Sequence, residues 1–145
     1  FGIPLTHRDD ATSALFITGH QCRKADSQEW EVLSRLNSTL VFYMGTRRLN
    51  EIINRFLEHG KSKETPIAII QNATMKSQYI ITSTLGKIIN DLKKEKTIIP
   101  AIIIIGKVVN YYRLTKECIQ SHPSDLLLPI ENMDFDLWED NMTIA

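Results

Sequence analysis

Cysteine is scarce: Cys22 and Cys118 are the only two, and they stand far apart without a C-x-x-C pair. Neither a disulfide framework nor a zinc site is therefore indicated. His20 lies beside Cys22, but with no second pair at zinc spacing no metal is expected. Net charge is absent too: 17 Lys and Arg balance 17 Asp and Glu. No global field favours nucleic acid or an anionic membrane, so any polyanion site must be local. Long hydrophobic runs are missing. The longest, Ile98 to Val109, is interrupted by Pro100 and Lys107 and is too short to span a bilayer. Gly-x-Gly-x-x-Gly and a complete Gly-x-x-x-x-Gly-Lys-Ser/Thr loop are lacking, which gives no support to dinucleotide binding or nucleotide triphosphate hydrolysis. A secretory signal is not visible, so the asparagine sequons at Asn37, Asn72 and Asn141 carry little weight and a cytoplasmic setting is expected. The chain opens on Phe1 rather than methionine, which leads us to expect a piece of a longer protein.

What is present is a regular alternation of apolar patterns. Gly2 to Asp9 reads as a loop, because Pro4 removes a backbone donor and pushes Ile3 from the helical region. Ser13 to His20 reads as a strand. Ser27 to Leu36 reads as a helix, with Trp30, Leu33 and Leu36 on one side. Thr39 to Met44 is a continuous apolar run of strand length, closed by Gly45, where we expect the chain to turn away. Leu49, Ile52, Ile53, Phe56 and Leu57 have helical spacing, and Gly60 is the natural residue after that helix. Pro66 to Gln71 is the third strand. Only Asn72 to Ser77 separates it from a fourth, Gln78 to Thr84, which is too short for a helical crossover and predicts an antiparallel pair. Leu85, Ile88, Ile89 and Leu92 mark a third helix, fading into the charged stretch 93–96, and Ala101 to Val109 a last core strand. The order β-α-β-α-β-β-α-β predicts an α/β fold: a mixed sheet with helices on both faces. The expected division is a domain over 1–112 and an irregular extension over 113–145, punctuated by Pro123 and Pro129.

Open α/β sheets bind ligands outside the carboxyl ends of their strands. Three short turns fall there: Thr18-Gly19-His20, Met44-Gly45-Thr46 and Asn72-Ala73-Thr74. Small residues at such turns let a ligand approach the backbone. Arg47 and Arg48 open the second helix at this edge. Two cations at a helix N-terminus oppose the macrodipole, so either an anionic ligand favours them or they are simply solvated. His59 and His122 read as surface residues, and Met44 on residue type alone could equally be core filler.

Five segments in order carry a resemblance: Gly-Ile-Pro-Leu-Thr-His-Arg-Asp (2–9), Thr-Gly-His (18–20), Thr-Leu-Val-Phe-Tyr-Met-Gly (39–45), Pro-Ile-Ala-Ile-Ile-Gln-Asn-Ala-Thr (66–74) and Pro-Ala-Ile-Ile-Ile-Ile-Gly-Lys-Val-Val (100–109). Together they resemble the C-terminal half of uroporphyrinogen-III C-methyltransferases, within the S-adenosylmethionine-dependent tetrapyrrole methylases. The resemblance implies the C-terminal domain of a two-domain fold and a homodimer. It also implies C-methylation of uroporphyrinogen III to precorrin-2, on the way to sirohaem and cobalamin. By similarity, Met44, Ala73, Pro100, Ala101 and Ile102 are donor contacts, and Thr6, His7, Arg8 and Arg47 belong to the tetrapyrrole-binding surface. No catalytic residue is assigned. The family's glycine-rich opening strand-turn, its Gly-Gly-Asp-Pro segment and its acidic and arginine catalytic candidates have no match here, so this chain would carry about half of a site. A later-acting precorrin methylase and a non-catalytic dimerisation module are the alternatives.

Overall fold

A computed structural model describes residues 1–19, 27–93 and 100–112. The elements are β1 (Ala14–Thr18), α1 (Ser27–Arg35), β2 (Thr39–Tyr43), α2 (Leu49–Glu58), β3 (Pro66–Gln71), β4 (Tyr79–Thr84), α3 (Ile88–Leu92) and β5 (Ala101–Ile105). Short 3-10 turns at Thr46–Arg48 and Lys107–Asn110 precede α2 and follow β5. Residues 113–145, including His122 and Cys118, lie outside the described residues, as do His20, Cys22 and positions 94–96.

The five strands form one sheet in the order β1-β2-β5-β3-β4. β1 and β2 are parallel; β5 lies between β2 and β3, antiparallel to both, and β4 is antiparallel to β3. The mixed sheet and the antiparallel β3–β4 pair are as expected. One consequence fixes the site: the carboxyl ends of β1, β2 and β3 share an edge with the first residues of β4 and β5.

Alternation along the strands divides the core. Leu40, Phe42, Ile67, Ile69, Ile103 and Ile105 pack with Trp30 of α1, with Leu49, Ile52, Ile53 and Phe56 of α2, and with Ile88 and Leu92 of α3. Trp30 and Phe42 both meet the Phe56 ring edge-on, with centroids 5.1 and 6.0 Å away, the geometry aromatic quadrupoles favour. The intervening residues Ala68, Ile70 and Ile104 form a second cluster with Ala11, Val108 and Val109. Among the described residues the three α-helices thus share one face. Among the described residues, the other face is packed by the N-terminal segment and the 3-10 turn at Lys107–Asn110.

Boundaries differ where glycine or a turn intervenes. The last strand stops at Ile105 rather than Val109. Gly106 takes φ 145° and donates to Pro66 O (3.0 Å), after which Val108 and Val109 wind onto the second face. The third helix starts at Ile88, because Leu85 is held in the preceding turn by its N–H to Thr65 O (3.0 Å). Gly60, at φ 86°, ends α2 as expected: Lys61 N–H reaches Phe56 O and Gly60 N–H reaches Leu57 O. That is the Schellman pattern, which satisfies carbonyls the helix leaves open.

Candidate functional site

The shared sheet edge holds a crevice of about 590 Å³, within the range of small-molecule sites. Its wall joins the end of β2 and the turn after it (Tyr43, Met44, Thr46, Arg47) to the end of β3 (Ile70, Asn72, Ala73, Met75). The start of β5 (Pro100, Ala101, Ile102) closes the other side. Met44, Ala73, Pro100, Ala101, Ile102 and Arg47, singled out from the sequence, therefore line one space. Thr6, His7 and Arg8 do not line it; they lie in the N-terminal segment on the second face of the sheet. Tyr43, Ile70 and Met75 are crevice residues that the sequence reading missed. An aromatic ending a strand and a methionine in a short link were the available signals.

Backbone conformation concentrates at this edge. Among the described residues, three non-glycine residues have positive φ, namely Met44 (54°), Asn72 (48°) and Thr74 (71°), and all three stand where β2 and β3 end. For a β-branched residue such as Thr74 this is an outlier, and each such residue costs roughly 1–3 kcal/mol that the surroundings must offset. The offsets are visible. Asn72 donates its N–H to Pro100 O (3.2 Å) and accepts from Met75 N–H (3.0 Å), and its amide reaches Ser77 Oγ (3.2 Å). Thr74 N–H donates to Gln78 Oε1 (3.2 Å). Asparagine tolerates this region because its short polar side chain bonds locally.

The turn after β2 corrects an expectation. Met44, not Gly45, takes the left-handed conformation; Gly45 has φ −91°. Gly45 is small for another reason. A Cβ at Gly19 would lie 2.3 Å from Gly45 Cα, and one at Gly45 would lie 3.1 Å from the Cδ1 atoms of Ile52 and Ile103. The turns after β1 and β2 are pressed together, with Gly19 N–H donating to Tyr43 O at 2.7 Å. The glycines serve contact between the turns as well as access to the backbone.

Charge at the crevice is sparse. Arg48 pairs with Glu51 (3.4 Å), while Arg47 lines the crevice and has no ion pair among the described residues. Arg47 is thus the one ionised group among the crevice lining residues, and no carboxylate faces it there. Met44 and Met75 are exposed at the rim, 69% and 59%, so Met44 is not core filler. On the second face, the Tyr111 hydroxyl donates to Asp10 (2.9 Å), a bond that raises the phenol's pKa above its ordinary value of 10.0, with burial and the Asp10 and Asp9 charges adding to it. No cluster of metal ligands occurs among the described residues, and no described helix is long and apolar enough to cross a membrane.

Comparison with known proteins agrees with this architecture. The family model described as Tetrapyrrole (Corrin/Porphyrin) Methylases matches residues 1–89. A siroheme synthase of Pseudoalteromonas translucida is 43% identical over 114 residues, which cover 77% of this chain and 24% of that protein. A uroporphyrinogen-III C-methyltransferase of Priestia megaterium is 41% identical over 111 residues, 76% of this chain and 47% of its own length. The crystal structure of uroporphyrin-III C-methyl transferase from Thermus thermophilus complexed with S-adenyl homocysteine superposes with a TM-score of 0.60 at 26% identity. That match covers 75% of this chain and 48% of that one. The chain spans half or less of the length of these relatives.

Proposed function

The chain belongs to the tetrapyrrole methylase family, and on that premise we propose that it supplies the C-terminal half of a uroporphyrinogen-III C-methyltransferase site, with S-adenosylmethionine seated against the crevice and precorrin-2 as product. The observation that carries this reading is the convergence of Met44, Ala73, Pro100, Ala101, Ile102 and Arg47 on one crevice. They come from three separate stretches of sequence, and the topology need not have joined them.

The crevice fits such a donor in three respects. Ile70, Ala101 and Ile102 give it an apolar wall that an adenosyl group can cover, excluding water. The positive-φ residues Met44 and Asn72 hold their peptide groups in place before any ligand arrives, so that backbone N–H and C=O groups can read polar atoms without further ordering cost. Arg47 is a cation suited to carboxylates, through charge-assisted hydrogen bonds. When bound, S-adenosylmethionine supplies a methyl group already activated by a positively charged sulfur. This chain's residues would align and dry the space, since an electron-rich pyrrole carbon needs positioning more than a covalent helper. Residues for proton removal and for the donor's methionine end are assigned to the half of the site outside this sequence. The assembly is read as a homodimer acting in the cytoplasm.

The test is methyl transfer. Joined to the N-terminal half of a relative such as the Priestia enzyme, this chain should move labelled methyl from S-adenosylmethionine to uroporphyrinogen III. Ala73→Trp, which fills the crevice, should abolish it while the circular dichroism spectrum is retained. Transfer by the Ala73→Trp protein at the unmodified rate would reject the crevice as the donor site.

A further inference from the structure

The link from β3 to β4 carries a threonine where its geometry calls for a glycine. Met75 N–H donates to Asn72 O (3.0 Å) and Gln78 N–H to Met75 O (3.0 Å), so residues 72–75 and 75–78 form two successive turns. In the first turn Thr74 takes φ 71°, whereas Ala73 stays outside the positive region. A hydrogen-bonded turn with positive φ at its third residue and not at its second is type II, and glycine or asparagine is the usual third residue. Threonine is strained there by its branched Cβ. A type I turn would return Thr74 to an ordinary negative φ, and the two forms differ by a flip of the peptide between Ala73 and Thr74.

That peptide is fastened at both ends. Thr74 N–H donates to Gln78 Oε1 (3.2 Å), and the Thr74 hydroxyl donates to Ala73 O. A backbone N–H can only donate, so the carbonyl end of the Gln78 amide faces it. A flip would turn Thr74 N–H away from Gln78, and the bond therefore favours the type II form. Asn72 is held independently, by Pro100 O on its N–H and by Ser77 Oγ on its side-chain amide. Gln78 itself is exposed and does not line the crevice, whereas Ala73 does.

We propose that Gln78 is a positioning residue for the crevice: its side-chain carbonyl holds the Ala73–Thr74 peptide in the type II orientation and so fixes the backbone that Ala73 presents at the wall. That the occupant is the methyl donor rests on the function proposed above; the clamp on the turn does not. Without the bond, water satisfies the freed N–H and the turn relaxes towards type I, leaving only a fraction of molecules with the wall in its binding form. Apparent affinity falls by that fraction, and a hydrogen bond of ordinary strength makes the loss roughly 2- to 10-fold.

The test uses the full chain, with the sign of the Thr74 φ read from its intraresidue amide–Hα NOE, which is strongest at positive φ. In Gln78→Leu this NOE should weaken while the amide spectrum of β3 and β5 is kept, since an exposed side chain contributes no core packing. Gln78→Glu keeps an acceptor at the same reach, and there the NOE should stay strong. The initial slope of the Ala73 amide shift against S-adenosylhomocysteine concentration should fall roughly 2- to 10-fold in Gln78→Leu. Adding Thr74→Gly to Gln78→Leu should recover it, because glycine suits a type II turn unaided. An undiminished NOE in Gln78→Leu overturns the clamp. A weakened NOE with the slope unmoved overturns its role at the crevice, as does a loss that neither Gln78→Glu nor Thr74→Gly reverses. No response from the unmodified chain at any concentration reached rejects the donor site instead, and the NOE alone then decides the clamp.

Discussion

Gly19→Ala tests whether the two turns at the crevice are pressed together as tightly as the structure has them. The added methyl would lie 2.3 Å from Gly45 Cα and 2.8 Å from Gly45 N. Carbon atoms prefer separations of about 3.5 Å or more, so the chain must open by roughly 1 Å, and the atoms in the way are backbone. Overpacking of this kind costs about 1–3 kcal/mol. Opening the turns also weakens the Gly19–Tyr43 hydrogen bond of 2.7 Å, adding about 0.5–1.5 kcal/mol. Against this, alanine narrows the unfolded ensemble by about 0.4–1 kcal/mol, and Gly19 lies outside the positive-φ region where alanine would be strained. The expected net destabilisation centres on about 2 kcal/mol, within a span of roughly 0.5–4 kcal/mol. Gly45→Ala is the control: its methyl would meet the flexible ends of Ile52 and Ile103 at 3.1 Å, and the expected cost is within about 1 kcal/mol. Urea denaturation of both variants, with unchanged m-values, measures the difference. If Gly19→Ala proves no less stable than Gly45→Ala, the close approach of the turns is refuted, and with it the reason given for these glycines.

Met44→Lys should leave stability within about 0.5 kcal/mol, since Met44 is exposed at the rim, yet weaken donor binding by placing a cation against a sulfonium in a low-dielectric crevice; thermal melts together with donor affinity in the reconstituted enzyme measure both. By itself the chain should bind S-adenosylhomocysteine only weakly and turn over no substrate, because the contacts assigned to the donor's methionine end lie outside it, and calorimetry giving micromolar affinity would contradict this. Tyr111 should ionise above the usual 10.0, its hydrogen bond to Asp10 being the leading cause. Since the folded value is raised, its stabilising contribution is complete below pH 10 and is lost as pH rises through the folded value. Ultraviolet titration of the chain against Tyr111→Phe checks the direction.

Several elements were legible for definite reasons. Pro66–Gln71 and Thr39–Tyr43 are buried on both faces, so their side chains are apolar without alternation. The short link after Gln71 forbade a crossover and foretold the antiparallel pair. The insertion of β5 between β2 and β3 was not legible, because apolar periodicity carries no pairing information. Nor was the stop at Ile105: Lys107-Val-Val reads like strand, and only the φ of Gly106 turns it aside. At the site, the rule of strand carboxyl ends and the family resemblance pointed to Met44, Ala73 and Pro100–Ile102. Met44's positive φ was hidden, because a glycine stood next to it and offered the simpler turn. The stacking of His7 on Tyr111 joins residues 104 positions apart, a contact that neither local pattern nor spacing encodes.

The central claim is that the crevice at the ends of β2 and β3 and the start of β5 receives the methyl donor. Backbone amide shifts of the full chain during titration with millimolar S-adenosylhomocysteine test it most directly. The predicted result is a set of changes confined to Met44, Arg47, Ala73, Ala101, Ile102 and their immediate neighbours. Changes centred instead on His7 to Ala11, or none at any concentration reached, would contradict it.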